Sequence, residues 1–440
     1  MVIEEMQKKA GGKGVIKTNI RFRILLLVFV NVVINYMDRT NISVAATSLS
    51  DDLKLSSVQL GLLFSAFGWT YALMQIPGGL LVDRIAPRLL YAISLICWSG
   101  VTLLQGLATK FATLFCFRLS IGALEAPAYP INNKIVTSWF PYHERAFAIA
   151  AYTSGQYVGL AFLTPLMVTI EYYWGWQILF MITGVVGIAW GIIWYWRYRS
   201  PAEHIKVNQE ELDYIEKDKF TSTIAINSNN EQKNQPINWK NLAFVFSNSK
   251  LWGIYIGQFA INANVWFFLT WFPTYLVKYR GIDFLKSGFL SSIPFIAAFI
   301  GILLSGFLSD LMIRKGVSIN IARKAPILVG LLLSVSIIGA NYVSDLFWII
   351  LFMTTAFFGT GLASITWIFV STLAPKNLLG LTGGAFNFVG NLSSIATPLI
   401  IGVLVEGGDF SPALIFIAIL ALVGIFAYTF MVGKLHQIET

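Results

Sequence analysis

Apolar stretches of about 20 residues recur along the whole chain, and they limit its fold more than any other feature. A helix of that length crosses the hydrocarbon core of a bilayer. Twelve such stretches fall at 22–48, 57–82, 89–108, 112–136, 145–169, 176–196, 250–277, 286–309, 325–343, 345–371, 379–405 and 411–433. Lipid leaves backbone amides no outside partner, so spanning segments are helices or closed barrels. A barrel would show short alternating segments, and these are absent. Of the 440 residues, 12% are charged and 56% hydrophobic, against roughly 25% charged in soluble domains. The expected fold is an all-α membrane protein of twelve transmembrane helices.

The net charge of +9 raises the question of nucleic acid, and its distribution answers it. With the N-terminus in the cytoplasm, the outer loops hold Lys54, Lys110, Lys278, Arg280 and Lys286, Arg39 and Arg118 lie within helices, and the other 24 of the 31 Lys and Arg face the cytoplasm. This is the positive-inside pattern, and it puts both termini in the cytoplasm. The basic start, Lys8 to Arg23, lacks a signal-peptide cleavage site. Cys97 and Cys116 fall in helices and are expected as free thiols. Asn41 and Asn391 match the glycosylation pattern within helices and are read as chance. His143, His204 and His436 join no metal-spaced cluster, so no metal is expected. No phosphate-cradling G-x-x-x-x-G-K-[ST] run indicates drive by ATP. An enzyme is not expected.

The only long polar segment, 197–249, contains "KVNQEELDYIEKDKF", which suits a surface helix, and then "TSTIAINSNNEQKNQP", which suits a flexible linker. It divides the chain into a tail (1–21), a six-helix half (22–196), the linker (197–249), a second six-helix half (250–433) and a tail (434–440). A repeat supports the division. "GLLVDRIAPR" places Gly79 four residues before Asp83, and "GFLSDLMIRKG" places Gly306 four residues before Asp310, each after an equivalent helix.

Four ionisable residues lie well inside the expected helices: Asp38, Arg39, Arg118 and Glu125. Each would cost roughly 2.5–3.5 kcal/mol in lipid, so they are expected to face the bundle interior. Arg118 and Glu125 are two turns apart on one face of helix 4. Asp38 and Arg39 are adjacent and point about 100° apart around helix 1. Levels along the helices predict an Asp38–Arg118 ion pair, with Glu125 nearer the centre and Arg39 free for a ligand carboxylate, whose two oxygens match a guanidinium fork. The four charges sum to zero, which fits a purely structural quartet that fixes helix packing as the alternative. Burial favours the protonated acid and a nearby Arg the charged one, so making or breaking a pair would couple proton uptake to transport.

The duplicated motif resembles the signature loop of the major facilitator superfamily, in which two six-helix halves rock about a midplane site. Ala86 and Pro87 depart from the usual pattern. Asp83, Arg84 and Asp310 would then form a cytoplasmic latch, or serve only as topology anchors. "YMDRTNISVA", "SAFGWTYALMQIPGG", "GALEAPAYPINNKIVTSWFP", "GLASITWIFVSTLAP" and "GLTGGAFNFVGNLSSIATPLI" further resemble the anion:cation symporter family within it, most of all its bacterial D-galactonate/proton symporters. That resemblance implies Arg39 as the substrate-carboxylate arginine, Asp38 and Glu125 as proton-coupling acids, and Arg118 as their accompanying arginine. It implies Tyr36, Tyr71 and Gln156 on one pocket wall, and Ser364, Thr366, Trp367 and Asn387 on the other. For each polar residue here an interhelical hydrogen bond is as good a reading as ligand contact. In "NANVWFFLTWFPTY", Asn262, Asn264 and Pro273 make either a bendable gate or a plain kink.

The function expected is import of a sugar-acid anion, an aldonate like D-galactonate, by proton symport with alternating access. Organic-anion exchange or export, a glucarate or hexuronate symporter, and a non-transporting sensor are the alternatives. The expected partners are the anion, protons and the lipid bilayer, with no nucleic acid and no cofactor beyond protons as coupling ion. The chain is expected to act as a monomer in a bacterial inner membrane.

Overall fold

The computed structural model describes residues 18–215, 239–375 and 378–438. The expected tail before residue 18, the linker's centre at 216–238 and the last two residues lie outside these. Among the described residues the regular structure is entirely helical. Ten helices are long and apolar enough to cross a membrane. One of them, His143–Arg197, is two spans that turn at Gly175, whose φ of 82° only glycine adopts readily. The helix Ser249–Thr270 completes the set of twelve. Gln258, Asn262 and Asn264 dilute its apolar character.

The ends of the spans follow from local chemistry. The second span starts at a capping box, in which Ser56 Oγ accepts from the Gln59 amide (3.2 Å) and Gln59 Oε1 from the Ser56 amide (3.0 Å). The first span, Ile20–Asp52, has no cap from its own Asn19. Its free amides at Ile20 and Arg21 donate instead to the carboxylate of Glu211 (3.1 and 3.2 Å), where a helix N-terminus favours an anion. Glu211 belongs to a helical stretch, 209–215, within the segment read as a linker. That stretch is folded onto the first half, and Arg21 ties it further to Glu144 (2.8 Å).

Several spans are interrupted part-way along their length. The fourth runs Phe111–Glu125 and resumes as Ala128–Trp139 after Pro127. The tenth runs Leu346–Leu362 and resumes at Trp367. The fifth carries a π-helical turn at Gly159–Leu163, and the eleventh is broken at Leu392. Four and ten, like five and eleven, are equivalent spans of the two halves. The seventh bends just before Pro273, where Trp271 ends its helix. Irregular backbone is tolerated at membrane depth where it lines a cavity.

Hydrogen bonds that cross between the halves gather at the end of the bundle away from the termini. There Ser43 Oγ donates to the Thr270 carbonyl (2.7 Å) and the Val58 amide to Glu406 (3.1 Å), while Lys278 pairs with Asp51 (3.1 Å). Gly61 of the second span lies so close to the eleventh that a Cβ would sit 2.7 Å from the Pro398 carbonyl and 3.1 Å from Gly402 Cα. At the terminal end the same two spans diverge, and a Cβ at Gly79, Gly380 or Gly384 would meet nothing within 4 Å. The bundle is therefore sealed at its far end and open at its terminal end.

The first half's buried charges are more numerous than the four expected. The fifth span continues past residue 169, carrying Glu171 inside the protein. It was missed because apolar character weakens before the helix ends.

Candidate functional site

A cavity of about 280 Å³ lies between the halves and is lined from both. The first half contributes Tyr36, Arg39, Gln156 and Tyr157, and the second Gln258, Asn262, Thr360, Ser364, Trp367 and Asn391 among others. Gln156 reaches it because glycines bring the fifth span against the first: a Cβ at Gly155 would sit 2.9 Å from the Phe29 carbonyl.

Arg39 carries the cavity's positive charge and is only 7% exposed. Its Nε donates to Glu125 Oε1 (2.5 Å), and its Nη2 pairs with the same oxygen. Three rings surround the guanidinium, with centroids 4.9 Å (Tyr36), 4.8 Å (Phe67) and 5.0 Å (Tyr71) from Cζ. A cation in such a cage gains from the ring quadrupoles while its stem stays fixed. Glu125, fully buried, keeps Oε2 without a hydrogen bond among the described residues. It stands at the last residue before the break in the fourth span.

This geometry corrects the expected pairing. Asp38 does not pair with Arg118, and Arg39 is not free. The fully buried Asp38 turns toward the third span, where Oδ2 accepts from Trp98 Nε1 (2.9 Å). Arg118 Nη1 donates to the backbone carbonyl of Asp38 (3.3 Å) rather than to its carboxylate. Arg118 meets Asp38 at the backbone alone, and the rotation of the first span differs from the one expected. The 100° between neighbours sends Arg39, not Asp38, across to the fourth span.

The other expected residues separate into three groups. Tyr36, Gln156, Ser364, Thr366 and Trp367 line the cavity. Tyr71 lies behind Arg39 as part of its cage. Asn387 is displaced from the central cavity to a second one of about 530 Å³ between the second and eleventh spans. One turn further on, Asn391 takes the central place, donating from Nδ2 to the Asn387 carbonyl (2.9 Å). The helical turn from Asn387 to Asn391 carries the chain from the open mouth into the cavity. Gln258 was missed altogether. Thr366 Oγ1 donates to Gln258 Oε1 (2.6 Å), and Gln258 Nε2 to Asn262 Oδ1 (3.0 Å). Two amides four residues apart in an apolar helix were the signal for this polar stripe.

The motif residues Asp83 and Arg84 are exposed at the end of the second span. Asp310 pairs with Arg323 (2.9 Å) inside its own half. Among the described residues no ion pair joins the two motifs, as suits an open terminal end.

The site has one caged cation, one buried carboxylate bound to it, and uncharged donors and acceptors on the facing wall. A small hydroxylated anion matches all three. Comparison with known proteins gives the same direction. Residues 28–398 match the Major Facilitator Superfamily. The chain is 47% identical over 418 residues to a "D-galactonate transporter" of Escherichia coli O6:H1, covering 95% of this chain and 97% of that protein. It is 39% identical to a "Probable galactarate/D-glucarate transporter GudP" of Bacillus subtilis, covering 96% and 94%. Among solved structures, the inward-open xylose transporter XylE of E. coli superposes with a TM-score of 0.70 at 14% identity, covering 94% and 96%.

Proposed function

The chain belongs to the Major Facilitator Superfamily, and from that membership we propose that this transporter imports a sugar-acid anion, an aldonate like D-galactonate, together with protons. It is a multi-pass membrane protein. In this reading it acts as a monomer in a bacterial inner membrane, with both termini cytoplasmic, and the observed opening faces the cytoplasm. The observation that carries the proposal is the Arg39–Glu125 pair at the wall of a polar cavity shared by two halves.

The mechanism follows from competition for one guanidinium. A substrate carboxylate binding Arg39 displaces Glu125 from its only strong partner. A buried carboxylate without a partner costs far more than its neutral acid. Substrate binding and protonation of Glu125 therefore support each other. Release of both toward the cytoplasm restores the pair and lets the empty halves rock back. Asp38, beside Arg39 on the first span, serves as a second proton carrier. Gln156, Ser364, Gln258 and Asn391 supply partners for hydroxyls, and Trp367 an apolar face for the carbon chain. Asp83, Arg84 and Asp310 act as the latch when the cytoplasmic end closes. Protons are the coupling ion and no cofactor takes part.

The test is gradient-driven uptake in proteoliposomes across aldonates, aldarates and hexuronates. Aldonate accumulation should collapse with the pH gradient. Glu125→Gln should abolish accumulation while retaining binding and exchange. Accumulation by that variant against a gradient would rule the assignment out. The likeness to GudP keeps an aldarate as the second reading, and preferential uptake of glucarate would establish it.

A further inference from the structure

At the terminal end of the first half, the start of the first span, the end of the sixth and the loop after it enclose a groove of about 540 Å³. Arg23, Arg197, Arg199 and Lys206 converge on it from these three places, and among the described residues Glu203 is the only acid on its wall. Arg199 is fixed by the carbonyls of Tyr195 (3.1 Å) and Tyr198 (2.8 Å). The side chains of Arg23, Arg197 and Lys206 have no protein partner among the described residues. One turn into each span from the cations the wall is apolar and outward-facing, with Leu26 and Ile193, and a 69% exposed Trp196 stands next to Arg197. Ile205, between His204 and Lys206, is 100% exposed.

This layering matches one kind of ligand. Exposed Trp and Ile at the level of unpaired cations place the groove at the membrane–water boundary. A ligand filling it must offer an anionic head to the cations and a hydrocarbon chain to the wall beneath. We propose that the groove is a binding site for one anionic phospholipid, its phosphate held by Arg23, Arg197 and Lys206 and an acyl chain lying along Leu26, Ile193 and Trp196. Topology-setting charges alone require no convergence from three segments and no shared groove. The lipid would staple the loop after the sixth span to the first span, beside the contact that Glu211 makes with Ile20.

Native mass spectrometry on the full chain in neutral detergent tests this, with added dioleoyl phosphatidylglycerol, dioleoyl phosphatidylcholine, glycerol 3-phosphate or inorganic phosphate. Phosphatidylglycerol should be retained as a single adduct under activation that strips phosphatidylcholine. Each cation removed should weaken it about fivefold, and the triple variant Arg23→Gln/Arg197→Gln/Lys206→Gln about a hundredfold. The far-end variant Lys54→Gln/Lys110→Gln/Lys286→Gln, with the same charge change, should retain it. Should the first triple variant fail to fold, Lys206→Gln alone, in a loop, decides by its fivefold loss. Equal retention of phosphatidylcholine, equal loss in the far-end variant, undiminished binding in the near-end variants, or displacement of the lipid by either soluble phosphate would each overturn the proposal.

Discussion

Arg39 and Asp38 are neighbours in sequence with different surroundings. Arg39 meets a carboxylate and three rings, and Asp38 meets one indole. The fork of Arg39 both holds Glu125 and suits a substrate carboxylate, so a lysine, a single point donor, cannot replace it. Arg39→Lys should weaken aldonate binding about tenfold or more, read by calorimetric titration. Asp38 Oδ1 accepts no hydrogen bond among the described residues, so Trp98 carries what the other oxygen accepts. Trp98→Phe should lower stability by about 1–3 kcal/mol through an unpaired buried acid. Asp38→Asn in the same background should restore much of the loss in thermal melting. Membership of the polar set was legible here, since Asp38, Arg39, Arg118 and Glu125 stand out in apolar runs. The pairing was not, because it depends on each helix's rotation, and in a membrane bundle apolar residues face both lipid and core. The same degeneracy hid Gln258 and exchanged Asn387 for Asn391.

Helices in this molecule are defined by their ends and their interruptions as much as by their lengths. Bilayer thickness set the lengths, so the twelve spans emerged from hydropathy within a few residues, apart from the first, fifth, eighth and ninth, which run longer. The start of the first span depends on Glu211, a residue 190 positions away from Arg21. Glu211→Ala would leave amides of the first turn and the Arg21 guanidinium short of a partner. It should cost about 1–3 kcal/mol, seen as a lower melting temperature of the purified protein, with Glu211→Gln partly restoring it. That contact was illegible in the sequence because Glu211 sits in a charged stretch that reads as solvated surface.

Across the whole molecule, charge is divided unequally. The ion pair at the cavity, Arg39 with Glu125, and the carboxylate of Asp38 belong to the first half, while the second presents an uncharged polar wall. One half thus holds the site's charge balance as the other moves over it. Closure of the far end relies on the contact of Gly61 with Pro398 and Gly402. Gly61→Val would place side-chain atoms inside that contact, costing about 1–3 kcal/mol of the sealed state. Uptake should fall roughly tenfold while thermal stability holds, as measured by transport and melting on the same preparation.

The sequence by itself determined that the chain crosses the membrane twelve times in two related halves, and which charges must avoid lipid. Insertion into lipid is a local property that sums along each 20-residue stretch, so sequence order suffices for it. Tertiary structure alone decided that Arg39 holds Glu125 from 86 positions away, that Asn391 rather than Asn387 enters the cavity, and that a distant carboxylate caps the first helix. Those contacts depend on helix rotation and on which spans become neighbours, and both are fixed only when the packed bundle forms.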